Sequence, residues 1–121
     1  MTTVSFALAV PAPDPGQVWY YAPQGYGYFK DENLTVKPQF NNGGGAAITQ
    51  VVSGNGQFGE TSPENLINAI AAGEPLVGFT TIITKSIYSV GVKSDSPVKT
   101  YADLKGKTMG VSSLTSGSHP F

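Results

Sequence analysis

The 121-residue chain contains no cysteine, which excludes disulfides, Cys-ligated zinc, iron–sulfur clusters and thiol catalysis. Arginine is also missing: all seven basic residues are Lys, so no bidentate guanidinium clamp on an anion can come from these residues. Histidine occurs once, at His119, and a His-based metal site would need ligands from another chain. Charged residues make up 12% and the formal net charge is −1, about half the usual charge density. That balance leaves no electrostatic footprint for nucleic acid. No apolar run approaches the length needed to span a bilayer. Met1-Thr2-Thr3 places no basic residue ahead of the Val4–Val10 run, so no secretory signal is expected in this stretch.

What is present is apolar residues at 40%, fifteen Gly and nine Pro, a composition for one domain with a core and many tight turns. Val4–Val10 is apolar at nearly every position and closes at Pro11, as expected of a strand buried on both faces of a parallel sheet. Asp14-Pro15-Gly16-Gln17 reads as a helix start, with Asp14 as cap, Pro15 at the first position and Gln17 completing a capping box. The helix continues through Val18–Ala22 until Pro23 kinks or ends it. Leu34–Phe40 is the second strand, and Pro38 argues against a central place for it. Asn41–Gly45 opens a short helix over 46–52. Gln57–Glu60 is a third strand, and Thr61-Ser62-Pro63-Glu64 starts a helix with a hydroxyl cap, Pro and an acid in order. Leu66, Ile67, Ala69 and Ile70 form its expected buried face, and Gly73 ends it. Pro75–Ile83 and Ser86–Val92 read as fourth and fifth strands, Thr100–Leu104 as a helical turn and Thr108–Val111 as a short strand. The alternation predicts an α/β fold with a mostly parallel sheet and flanking helices.

In such sheets ligands bind beyond the carboxyl ends of the strands. Three loops are expected there. Asn41–Gly45 offers glycines and the free N–H groups of a following helix to an anion, or is a Gly-rich turn. It is not a Walker loop, since no Gly-Lys-Ser/Thr follows. Thr61-Ser62 either contacts a ligand or only caps its helix. Ser112–Ser118 carries five hydroxyls and a glycine after a strand, a donor density suited to an oxyanion. Trp19, Tyr20 and Tyr21 supply an aromatic wall or a core, and Tyr88 poses the same choice. Glu60 would bind an amine or stand as a partly exposed carboxylate. His119 is expected to face solvent. No Gly-x-Ser-x-Gly elbow exists, and eight carboxylates make an acid–base pair uninformative.

Four stretches in order carry a family resemblance. Gly25-Tyr26-Gly27-Tyr28-Phe29-Lys30-Asp31-Glu32-Asn33-Leu34 is similar to G-(F/Y)-F-K-x-E-x-L. Gly43-Gly44 with Gln50–Gly54 and Phe58-Gly59 is similar to GG…Q-A-L-x-S-G-x-x-D-F-G. Asp95-Ser96-Pro97 with Tyr101–Lys107 is similar to DSP…A-D-L-K-G-K, and Gly110–Ser113 with Ser116-Gly117-Ser118 to G-V-S-x-x-G-S. Together they resemble the solute-binding proteins of ABC importers, in the branch for nitrate, aliphatic sulfonates, taurine and thiamine-pyrimidine precursors. Gln57 stands where that pattern commonly has Asp, with a structural consequence expected.

The resemblance implies a type II periplasmic-binding fold: two α/β lobes that close on a ligand. Residues 1–91 would be the first part of lobe one, and 92–121 the hinge crossing and the beginning of lobe two, so that the chain would be the N-terminal portion of a longer receptor. It implies ligand contacts at Trp19, Gly43, Gly44, Thr61, Ser62, Ser112, Ser113, Ser116 and Gly117, no cofactor or metal, and no enzymatic activity. The partners implied are a small-molecule solute and the importer's membrane permease, and the location periplasmic or extracellular. An incomplete lobe would expose apolar surface and self-associate to cover it. The enzyme reading on the same fold, a thiamine-pyrimidine synthase, needs a cysteine-rich motif and an early active-site His that this sequence lacks. Effector-sensing domains of transcription factors share the lobes too, but no helix-turn-helix or basic segment supports that reading.

Overall fold

The parallel pairing of the first apolar run with its two successors sets the architecture of the protein, a computed structural model that describes residues 1–118. β1 (Thr2–Leu8) lies between β2 (Leu34–Phe40) and β3 (Phe58–Gly59), in the order β2-β1-β3 with every pairing parallel. The β1–β2 register places Val4 opposite Val36 and Leu8 opposite Phe40, while Phe6 faces Phe58 across the other pairing. β1 starts and ends two residues earlier than its apolar run, because the chain bends ahead of Pro11 and Pro13. Pro38 sits on an edge strand, where its missing N–H is tolerated. Gln57 extends the β1–β3 ladder by one rung: its amide donates to Ser5 O at 3.1 Å and its side-chain oxygen accepts from Ser5 N at 2.8 Å. That is the structural use expected of the substitution.

Among the described residues four helices accompany the sheet: α1 (Val18–Tyr26), α2 (Tyr28–Asp31), α3 (Gly44–Val52) and α4 (Pro63–Ala71). Asp14 caps a 3-10 turn over Pro15–Gln17 by accepting from Gly16 N at 2.7 Å. Gln17 does not complete a capping box; its side chain turns inward instead. α1 runs through Pro23 rather than stopping there. Tyr20, before the proline, is buried in the core, and Tyr21 beside it packs ring-on-edge at 5.2 Å, so tertiary packing holds the turn that Pro23 weakens. Leu8, Ala7, Ala47 and Tyr20 are the fully buried apolar residues. Around Tyr20 stand the rings of Phe6, Trp19, Tyr21 and Phe29, with centroids 5.2–6.2 Å away, separations at which tilted and edge-on pairs attract. Burial, and secondarily Tyr21, pushes the Tyr20 phenol above its ordinary value, which keeps it a donor to Val36 O at 3.1 Å.

Beyond Gly73 the observed chain departs from the sequence expectation. Residues 75–83, 86–92 and 108–111 are extended or bent but form no strand. A strand exists only when a neighbour supplies its hydrogen bonds, and β3, two residues long, offers almost no edge. Val77, Phe79, Ile82, Ile83, Ile87 and Val92 are consequently exposed. The α4 face is corrected in the same way: Leu66 and Ala69 are half-buried, but Ile67 is 64% and Ile70 45% exposed.

The turn over Tyr101–Leu104 is closed by a capping box between Thr100 and Asp103. The Asp103 carboxylate accepts from Lys99 N at 3.0 Å, Thr100 N at 2.9 Å and the Thr100 hydroxyl at 3.0 Å. Those bonds hold its pKa below the usual carboxylate value. A carboxyl depressed in the folded state stabilises the turn above its unfolded pKa, and that contribution is lost as pH falls through the folded value. Acidification from about pH 5 should therefore shift the Tyr101–Leu104 amides in NMR spectra, and Asp103→Asn should show the acid-form spectrum at neutral pH. Amides that ignore both changes would mean that the box does not hold the turn.

Candidate functional site

All three strands end on one edge of the sheet because they are parallel, and the loops leaving them meet there. Asn41, directly after β2, binds the ends of two strands with its side-chain amide, donating to Leu8 O at 3.1 Å and Gln39 O at 2.8 Å. Glu60, directly after β3, accepts from Ala9 N at 3.1 Å and from Gln17 Nε2 at 3.4 Å. The carboxylate is thus engaged in joining β1, β3 and the start of α1. Gln17 is 6% exposed, and its Oε1 has no hydrogen-bond partner.

Two helices begin beside these strand ends. Gly43 precedes α3 with φ 94° and ψ 170°, and leads into Gly44 and Gly45 with no side chain between the helix amides and what lies above them. Ser62 caps α4, its hydroxyl accepting from Asn65 N at 3.4 Å, with Pro63 and Glu64 in the first turn. Thr61 Oγ1 is fully buried without a hydrogen-bond partner, and a Cβ on Gly44 would stand 2.7 Å from it. The α3 and α4 starts are therefore in van der Waals contact.

The Ser112–Ser118 loop returns to this edge from more than fifty residues away in sequence. Gly45 N donates to Thr115 O at 3.1 Å, and Asn65 Nδ2 donates to the same oxygen at 3.3 Å. The Ser113 hydroxyl donates to Asn42 O at 3.2 Å, and the Thr115 hydroxyl donates to the same carbonyl. Gly117 is buried where a Cβ would stand 2.5 Å from Ser62 Cβ and would meet the Tyr88 hydroxyl. Ser116 and Ser118 pair hydroxyl to hydroxyl at 2.9 Å. The donors of the cluster are neutral hydroxyls and amides beside two helix N-termini that add partial positive charge, and Glu64 in the first turn of α4 adds a carboxylate whose Oε2 is buried without a hydrogen-bond partner.

Of the residues singled out from the sequence, Gly43, Gly44, Thr61, Ser62, Ser113, Ser116 and Gly117 lie in this cluster. Ser112 is exposed beside it. Trp19 does not join it: its ring packs on Phe6 at 5.5 Å and on Tyr20 at 6.2 Å, as part of the aromatic core. His119 lies outside the described residues. Asn42 and Thr115 fall inside the two loops singled out from the sequence, but sequence reasoning missed Asn65. Asn65 carried one signal, its place at the third position of a well-marked helix start, where an amide points back over the N-terminus. Two surface cavities of about 160 and 170 Å³ lie elsewhere, one at Val90–Leu104 and one between Met1, Gln24, Phe29 and the start of β2.

Among the described residues, no group of three His, Cys, Asp or Glu side chains is placed to hold a metal ion, and no helix is long and apolar enough to cross a membrane. Neither the curated proteins nor the solved structures gave a match. The family model described as NMT1/THI5 like matches residues 15–119, a span that holds the whole site edge from Gln17 to Ser118. That family takes in solute-binding proteins of ABC importers and thiamine-pyrimidine synthases. With a match over most of its length, and a small α/β fold with a three-stranded parallel sheet compatible with part of a periplasmic-binding-like fold, the chain belongs to the NMT1/THI5-like family.

Proposed function

We infer that the protein captures a small solute for an ABC importer, within a type II periplasmic-binding fold and without chemistry of its own. The observation that carries this reading is the meeting of three donor loops, 42–45, 61–65 and 113–117, on the carboxyl edge of one parallel sheet. Neutral hydroxyls and helix amides suit a solute with acceptor oxygens, such as a sulfonate, nitrate or carboxylate, and they solvate it without the tight charge pairing that would slow release. Among the described residues, no nucleophile with an adjacent base stands in the cluster, which favours binding over catalysis. A membrane permease is the partner this role requires, and a periplasmic or extracellular location follows from it. The apolar residues exposed between 77 and 92 would support self-association when no other partner covers them.

A thermal-shift panel of methanesulfonate, taurine, nitrate and an aminopyrimidine tests the reading. A solute at about a hundredfold over its Kd adds about 2.7 kcal/mol to stability, which for a chain of this length raises Tm by roughly 10 °C. Uniform silence across the panel at millimolar concentration would overturn it.

A further inference from the structure

One donor at the start of α3, the Gly45 amide, is already occupied, and by the chain itself. Thr115 O sits between Gly45 N at 3.1 Å and Asn65 Nδ2 at 3.3 Å, with the unpartnered Thr61 hydroxyl oxygen close to Gly44. Gly45 N has one hydrogen and gives it to this carbonyl, so an incoming oxyanion cannot use it while the carbonyl stays, and one of the two hydrogens of Asn65 Nδ2 is engaged on the same oxygen. The loop is held in this position by a separate set of bonds, the Ser113 and Thr115 hydroxyls on Asn42 O. Those side-chain bonds fix the loop without belonging to the seat.

We propose that Thr115 O is an internal placeholder, that a solute oxygen displaces it from Gly45 N and Asn65 Nδ2, and that the 113–117 loop thereby sets the affinity of the site. The proposal rests on the solute-binding reading above and adds the identity of the competitor and of the acceptor seat. A carbonyl with two donors is a local mimic of one oxygen of a carboxylate or sulfonate, and Asn65 supplies the donor that a cationic solute could not use. Displacement follows population-shift arithmetic: apparent affinity equals intrinsic affinity multiplied by the fraction of molecules in which the loop is open. Weakening the loop's own anchor therefore tightens solute binding, whereas weakening a direct solute contact loosens it.

Thr115→Val separates these outcomes, because it removes the hydroxyl on Asn42 O and leaves the Thr115 carbonyl, Gly45 and Asn65 unchanged. The full chain and the variant are titrated with methanesulfonate, with methylammonium as the oppositely charged control. Amide hydrogen exchange at Gly45 is followed without any solute. The variant should bind methanesulfonate about fivefold tighter, the change that one ordinary hydrogen bond corresponds to, and Gly45 should exchange faster by a similar factor. Methylammonium should bind to neither. Methanesulfonate binding that is equal or weaker in Thr115→Val overturns the placeholder and leaves the solute-binding reading in place. Faster Gly45 exchange with no methanesulfonate binding to either protein overturns the placeholder, since the seat then opens and no oxyanion enters, whereas the solute-binding reading itself falls only on silence across the whole solute panel.

Discussion

Tyr20→Ala should leave the chain without a cooperative unfolding transition at room temperature. Tyr20 is 1% exposed and is the largest fully buried side chain. Its ring is the hub on which Phe6 from β1, Trp19 and Tyr21 from α1, and Phe29 from α2 converge. Truncating a buried aromatic costs about 3–5 kcal/mol, and the Val36 carbonyl loses a donor worth about 1 kcal/mol more. Whole domains are stable by only about 5–15 kcal/mol. With Ala7, Leu8, Ala47 and Tyr20 as its fully buried apolar side chains, this chain belongs at the low end of that range. Tyr20→Phe keeps the ring contacts and removes only the bond to Val36, so its loss should be near 1 kcal/mol. Urea titration followed by Trp19 fluorescence and far-ultraviolet circular dichroism measures both. If Tyr20→Ala and Tyr20→Phe were destabilised equally, the hydroxyl rather than the ring would be holding α1 to the sheet.

The N-terminal half was legible because its signals are local. The Val4–Val10 run, the caps at Asp14 and Ser62, and the stop at Gly73 each act over a few residues, and β1, β2, β3, α3 and α4 appear within about two residues of their expected places, whereas α1 outruns Pro23 and α2 had no expected counterpart. The segment from Pro75 onward fails for the opposite reason. Its composition suits a strand, but pairing is a property of two segments, and no β-branched run can report whether a partner lies beside it. Trp19 shows the same limit within the site. An aromatic at a helix start has the same composition whether it walls a ligand or fills a core, and only the structure places the Trp19 ring against Phe6 at 5.5 Å. The loops at this edge were legible because Gly, Ser and Thr cluster directly after the expected strands, although the same residues also serve as turns and caps, as Ser62 does for α4. Asn65 was not, since its role depends on a carbonyl fifty residues downstream.

Gly43→Ala should abolish the thermal response to solute while lowering stability by about 1–3 kcal/mol. Gly43 has φ 94° and ψ 170°, a region essentially reserved for glycine, and holding another residue there costs about that amount. Strain alone would leave the site intact, but the added Cβ has nowhere to go. It would stand 2.9 Å from Ser113 Oγ, 2.9 Å from Thr115 O and 3.0 Å from Ser116 N. Two of those atoms are backbone, so the loop must withdraw rather than adjust a rotamer. The same Cβ stands against the position that Thr115 O now fills, so a solute oxygen seeking that seat is excluded with it. This distinguishes Gly43→Ala from Thr115→Val: both free the loop, but only the first obstructs what the loop uncovers. Gly54→Ala is the control for backbone strain. Its φ is 77° and nothing lies within 4 Å of an added Cβ, so it should lose about 1 kcal/mol and keep the full solute response. Equal solute responses in the two variants would place the binding seat away from the start of α3.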